Sequence, residues 1–220
     1  MSSTTENYLK RIYAETEALS SRLVPLGTLA SSLGVTPGTV TTMMKSLAEA
    51  GLVDYTPRLG VTLTDTGRNE ALQVVRRHRI VELFLVEVLG LDWSEVHEEA
   101  EVLEHAISDR LLSRIDELLG HPRVDPHGDP IPDSNGAVPE LTGVPLAQVT
   151  APARARVVRV DHDQTEFLVF VKERGMTPGA EIEVRSKSET GGTVTVAIDG
   201  RPTSLSLTVA ERIVCVPVEP

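Results

Sequence analysis

The chain has 220 residues, 40% of them apolar and 3% aromatic, with a net charge of −11 and one cysteine. This length suits two or three small domains with aliphatic cores. No apolar run reaches membrane-span length and the N-terminus lacks a signal-peptide pattern, so a cytoplasmic protein without a membrane partner is expected; the one cysteine rules out an internal disulfide and fits a reducing cytosol.

The acidic balance, taken whole, argues against a nucleic-acid partner. It is uneven, however. Residues 1–64 carry five basic side chains (Lys10, Arg11, Arg22, Lys45, Arg58) and five acidic ones (Glu6, Glu15, Glu17, Glu49, Asp54), so the excess lies entirely beyond them. Within this neutral stretch the apolar spacing predicts a first helix over 4–18 and a short second one over 25–33, stopped at Gly34. Thr36-Pro37 is an N-cap followed by proline at the first helical position, and a third helix runs over 37–50 to Gly51. Two helices joined by a tight turn form the helix-turn-helix arrangement. Val40, Met44 and Leu47 share the inner face of the third helix, with Met43 at its edge. Gly38, Thr41, Thr42, Lys45 and Ser46 form an outer face without an acid, small enough to sit deep in a major groove. L-V-D-Y-T-P and V-T-L-T then alternate as two strands around Pro57 and Gly60, a wing that carries Arg58 to a phosphate. The alternative is a helical bundle with a hairpin and no DNA.

A long helix starts at Thr64 or Asp65 and runs to about Leu89, and another spans about Ser94 to Leu119. Two long amphipathic helices behind a small DNA-binding head suit a homodimer interface. The second contains H-E-E-A-E-V-L-E-H, residues 97–105. On a continuous helix Glu101, Glu104 and His105 stand at i, i+3 and i+4 on one face, with His97 one turn earlier. Val96, Ala100, Leu103, Ile107 and Leu111 form the neighbouring apolar stripe. Carboxylates and imidazoles beside a buried seam call for a divalent cation, though a solvated acidic face gives the same spacing. His78 and Glu82 form a further i, i+4 pair on the preceding helix. H-E-E-A-E lacks the second histidine of the zinc-protease motif, and no Glu stands three before His78 or His105, as a di-iron bundle needs. An enzyme is therefore not expected, and neither is a small organic substrate.

Residues 120–153 hold seven of the fourteen prolines and form an extended connector, in which His121 and His127 count as loop residues rather than ligands. From Arg154, R-A-R-V-V-R-V, A-E-I-E-V, T-V-T-V-A-I and R-I-V-C-V-P-V are short strands with turns at Pro178-Gly179, Gly191-Gly192 and Asp199-Gly200, and Gln164–Arg174 is a helix among them. This is a small, partly open barrel, with Cys215 in its core pattern.

T-T-E-N-Y-L-K-R-I-Y, V-R-R-H-R-I-V-E, V-H-E-E-A-E-V-L-E-H-A-I-S-D and P-H-G-D-P-I-P together resemble the diphtheria toxin repressor family of metal-dependent transcriptional regulators, most closely its manganese-responsive branch. The resemblance implies a mainly α chain with a C-terminal β domain: a winged helix-turn-helix head (1–72), a helical dimerisation and metal-binding domain (73–140), a proline-rich linker (141–153) and an SH3-like, FeoA-like barrel (154–220). It implies a primary metal site at Asn7, Glu101, Glu104 and His105, and an ancillary one at His78, Glu82 and His97. Asp161, His162, Asp163 and Glu166 are the barrel's candidate donors. Base reading falls on Thr36, Gly38, Thr39, Thr41 and Thr42, with Lys45 and Arg58 beside them. Two positions depart from the manganese branch: Asn7 replaces an aspartate, and Lys10 replaces a carboxylate that bridges a second ion in some members. Glu101 stands where iron-type members have cysteine. Donors without sulfur suit Mn²⁺, while Fe²⁺, Co²⁺, Ni²⁺ or Zn²⁺ can bind in vitro. The expected function is a Mn²⁺-sensing repressor of metal-homeostasis genes acting as a homodimer on a palindromic double-stranded operator. The alternatives are an Fe²⁺-responsive regulator of the same family, or a metal-storage or adaptor protein with a non-functional winged helix.

Overall fold

The computed structural model describes residues 1–19, 21, 23–161 and 164–218, and the chain forms two compact units. The first comprises Met1–His78, Glu104–Ile107 and Pro132–Val138; the second comprises Arg79–Leu103, Ser108–Ile131 and Pro139–Pro220.

In the first unit, α1 (Ser3–Leu19), α2 (Leu26–Ser32) and α3 (Pro37–Glu49) are followed by β1 (Val53–Thr56), β2 (Gly60–Leu63) and the start of α4 (Asp65–Glu87). Leu9 and Ile12 of α1, Leu29 of α2, Val40, Met44 and Leu47 of α3 and Val75 of α4 meet in an aliphatic core, as the helical spacing predicts. Thr36 caps α3 by accepting from the Thr39 amide at 3.2 Å, and Pro37 occupies the first helical position. β1 and β2 pair antiparallel from Val53↔Leu63 to Thr56↔Gly60. Val61 also exchanges both backbone hydrogen bonds with Val24, each at 2.9 Å, which ties the wing to the segment before α2. Residues 132–138 are ordered against α4, where Arg76 donates to the Pro132 carbonyl and Gln73 to that of Ser134.

The second unit holds the rest of α4, α5 (Val96–Leu103), α6 (Asp109–Leu118) and the β domain. The single helix expected from Ser94 to Leu119 is two helices. Ser108 interrupts it: its hydroxyl accepts from the Leu111 amide at 3.3 Å and caps α6. Glu104 and His105 consequently lie in the turn after α5 rather than on its face. The β domain is one antiparallel sheet, in the order β3-β8-β4-β5-β6-β7, formed by β3 (Val144–Pro145), β4 (Ala153–Val160), β5 (Glu181–Ser188), β6 (Thr193–Ile198), β7 (Arg201–Ser206) and β8 (Ile213–Pro217). Two of these strands, β3 and β7, go beyond the four read from sequence. β7 contains Pro202 and lies at the sheet edge, where a missing amide is tolerated. α7 (Thr165–Glu173) and the short α8 (Leu207–Glu211) complete the unit. Phe167, Leu168 and Val171 of α7 join Val157, Val184, Val196 and Ile213 in its core. Cys215 is buried among them, and burial pushes its thiol pKa up to about 12, so it behaves as a small apolar residue. Asp92 pairs with Lys172 of α7 and accepts from the Ser94 amide; these bonds hold its carboxyl down to about 2. No helix among the described residues is long and apolar enough to cross a membrane.

Candidate metal centre

In the first unit, three chain segments converge on one polar cluster. α1 contributes Glu6, Asn7 and Lys10; α4 contributes Arg77 and His78; the turn after α5 contributes Glu104 and His105. Glu104 is at its centre, with a side chain 0% exposed. Its Oε1 accepts from Lys10 Nζ at 2.6 Å and lies 3.3 Å from His105 Nε2, and its Oε2 accepts from His78 Nδ1 at 2.6 Å. His105 faces the Asn7 amide oxygen from Nε2 at 2.7 Å and the Glu6 carboxylate from Nδ1 at 2.6 Å. Arg77 closes the far side by donating to Glu6 at 3.0 Å. A carboxylate buried to this degree needs partners in several directions, and the cluster supplies them.

Asn7, Glu104 and His105 of the expected primary set are thus linked through the imidazole, which lies 2.7 Å from the Asn7 amide oxygen and 3.3 Å from the Glu104 carboxylate. His78, assigned by resemblance to the ancillary set, shares Glu104 with them. Glu6 and Lys10 are also part of the cluster. Glu6 was not singled out as a site residue from sequence. Its spacing could have shown it, since Glu6 and Lys10 stand at i and i+4 on α1 and so share one helix face.

A second cluster lies within the second unit. Glu82 of α4, with a side chain 1% exposed, meets His97 Nδ1 at 3.2 Å, and His97 Nε2 in turn lies 3.5 Å from Glu101. The other oxygen of Glu82 lies 3.8 Å from Nδ1 of His127. His127 is fully buried and bonds the Trp93 carbonyl from Nε2 at 2.8 Å; since a carbonyl only accepts, the proton is on Nε2 and Nδ1 faces the acids. Asp125 accepts from the backbone amides of His127 and Asp129 at 2.8 and 2.9 Å. One donor atom each from Glu82, Asp125 and His127 lies within 4.8 Å of the others. His127 is in a loop, as the sequence reading expects, but the loop is folded inward and the imidazole is buried. The signal was D-P-H-G-D, in which an aspartate precedes two amides that its side chain can tie. His121 is exposed and pairs with Asp116. Of the barrel candidates, Asp161 pairs with Arg212 at 3.0 Å and Glu166 is exposed on α7. His162 and Asp163 lie outside the described residues.

On α3, Thr36, Gly38, Thr39, Thr42 and Lys45 are exposed and Thr41 is half-buried. Thr41 and Thr42 donate their hydroxyls to the Pro37 and Gly38 carbonyls one turn back. Arg58 stands exposed at the wing tip with φ 69°, a left-handed turn position.

Comparison with known proteins gives three family models along the chain. An iron dependent repressor N-terminal DNA binding domain matches residues 1–61. An iron dependent repressor metal binding and dimerisation domain matches 64–133, and a FeoA domain matches 144–217. The iron-dependent repressor of Mycobacterium tuberculosis is 31% identical over 210 residues, covering 90% of this chain and 89% of the relative. The diphtheria toxin repressor of Corynebacterium diphtheriae is 30% identical over 214 residues, covering 92% of each. A solved manganese-dependent transcriptional repressor in complex with manganese superposes with a TM-score of 0.87 at 40% identity, covering 97% of this chain and 100% of that one.

Proposed function

Since the chain belongs to the diphtheria toxin repressor family of metal-dependent transcriptional repressors, we propose that it is the manganese-responsive kind, a homodimer that grips a palindromic operator when metal is held. The observation that carries this reading is the convergence of Asn7, Glu104 and His105 from distant parts of the sequence onto one cluster around the buried Glu104. The donors fit a hard divalent cation: oxygen and imidazole nitrogen, with no sulfur among them. The 40% identity to a repressor solved with manganese supports the choice of ion. An iron-responsive reading rests on the names of the family models and of the mycobacterial relative.

Asn7, Glu104 and His105 would hold the ion; Glu101, assigned to the same set by resemblance, lies beside His97 in the second unit. When bound, the cation supplies two positive charges and directional bonds to oxygen and nitrogen. The protein's part is to fix α1, and with it the head, against the Glu104–His105 turn. Such a device acts by population shift, and it works only where the competent arrangement binds the ion better than the alternatives. A second ion has its donors in Glu82, Asp125 and His127, with His97 from the sequence-assigned set beside them.

Fluorescence anisotropy on a labelled operator, with Mn²⁺, with Fe²⁺ under anaerobic conditions and with chelator, tests the proposal. Mn²⁺ should tighten binding at least tenfold, about 1.4 kcal/mol, relative to chelator. Equal affinity in all three sinks metal gating. Activation by Fe²⁺ at concentrations where Mn²⁺ is silent transfers the assignment to iron.

A further inference from the structure

Lys10 occupies an unexpected place. It stands one turn beyond Asn7 on α1, and its ammonium lies 2.6 Å from Oε1 of Glu104, with only 16% of its side chain exposed. It is thus a cation held on a carboxylate at the heart of the metal cluster. The other carboxylate there, Glu6, is matched by Arg77 at 3.0 Å. Each acid of the cluster already has a positive partner from the chain itself.

Resting on the metal reading above, we propose that Lys10 is a built-in competitor for the primary site, an internal cation that sets how much metal is needed. Glu104 Oε1 also lies nearest His105 Nε2, at 3.3 Å, so the oxygen that Lys10 holds is the one turned toward the other donors. An ammonium and a divalent cation on one carboxylate oxygen repel strongly in a water-poor site. Filling the site therefore displaces the ammonium from Glu104, and the lost ion pair is subtracted from the binding free energy. Burial sharpens the competition, because Glu104 left without a cation is costly and Lys10 supplies one in the absence of metal. The long, flexible stem of a lysine suits this role, since its head can swing to solvent without moving α1. Lys10 thereby serves two ends: it keeps the cluster folded at low metal, and it raises the concentration at which metal takes over.

The test compares wild type with Lys10→Met, which keeps the stem and removes the charge, and Lys10→Gln, which keeps a donor without charge. Mn²⁺ alone is titrated into the full-length protein at fixed pH, with free Mn²⁺ followed by electron paramagnetic resonance and thermal midpoints followed by calorimetry. Both variants should bind Mn²⁺ at least tenfold more tightly than wild type. Both should also melt lower without metal, and gain more on its addition. Lys10→Arg, which keeps a cation, should stay within about threefold of wild type, less than half a tenfold step. Variants that bind Mn²⁺ with wild-type or weaker affinity overturn the competition and leave the site itself standing. A wild type and variants that all fail to bind Mn²⁺ overturn the site reading, and this one with it.

Discussion

At Gly128 the backbone adopts φ +91°, and a Cβ there would lie 2.0 Å from the Val158 carbonyl oxygen. The residue before it is His127, whose own carbonyl accepts from the Val160 amide at 2.9 Å. The glycine therefore lets the D-P-H-G-D loop press against β4 closely enough to bury His127 and Asp125. Gly128→Ala combines a strained φ with a backbone clash, and it should cost about 2–4 kcal/mol in a denaturant or thermal unfolding experiment. A variant as stable as wild type would show that the loop relaxes at no cost and that its burial is not fixed by close approach. This residue also marks where periodicity was mute and only the local D-P-H-G-D pattern carried a signal. Histidine and aspartate in a proline-rich stretch look like solvent-exposed loop residues. What folds them inward is the pairing of Asp125 with two amides and of His127 with the Trp93 carbonyl, and neither has a periodic signature. Asn7, Glu104 and His105, by contrast, follow from motif resemblance and lie together in the first unit, while the same resemblance marks Lys10 only as the replacement of a bridging carboxylate and not as a partner of Glu104.

Among the elements, the head was legible almost throughout, because its helices bury clear apolar positions and α2 and α3 stop just before Gly34 and Gly51. The helix expected over 94–119 was not, and the reason is physical. Val96, Ala100, Leu103, Ile107 and Leu111 keep helical spacing straight through the break, although Leu103 and Leu111 are exposed in this chain. Periodicity reports which residues could share a face, and it does not report where hydrogen bonding is interrupted. Ser108-Asp109 was the legible sign: an N-cap residue followed by an acid in the first turn, where the helix dipole favours negative charge. The interruption matters for the site, since it frees Glu104 and His105 from a rigid helical face and lets both turn toward α1. Ser108→Ala removes the side-chain acceptor for the Leu111 amide and should destabilise the protein by about 1 kcal/mol. Amide exchange of Leu111 should quicken more than that of the α4 core. Unchanged exchange at Leu111 would mean that packing of Leu112 and Ile115, not the cap, starts α6.

For the whole molecule, the puzzle is a chain of net charge −11 in a DNA-binding family. The balance within residues 1–64 resolves part of it, since the acid excess lies beyond the head. Even so, the head has few cations to offer. Lys45 on the outer side of α3 and Arg58 at the wing tip are the exposed ones flanking the candidate base-reading residues. Affinity for the operator should fall steeply with salt, because each phosphate contact releases counterions. The raw slope is an imperfect measure of those contacts, because salt also screens repulsion between DNA and the acidic remainder within a Debye length of about 10 Å at 0.1 M. That repulsion is common to wild type and variants, so the difference between them isolates the contact. In a homodimer each side chain acts twice. Lys45→Ala and Arg58→Ala should each lower the slope of log affinity against log salt by about 2, and weaken binding alike on related operators, as loss of a phosphate contact requires. Anisotropy titrations between about 50 and 200 mM salt, at saturating Mn²⁺, give the slopes. If Arg58→Ala weakens binding on one operator sequence and leaves the slope unchanged, the wing reads bases and the phosphate assignment falls.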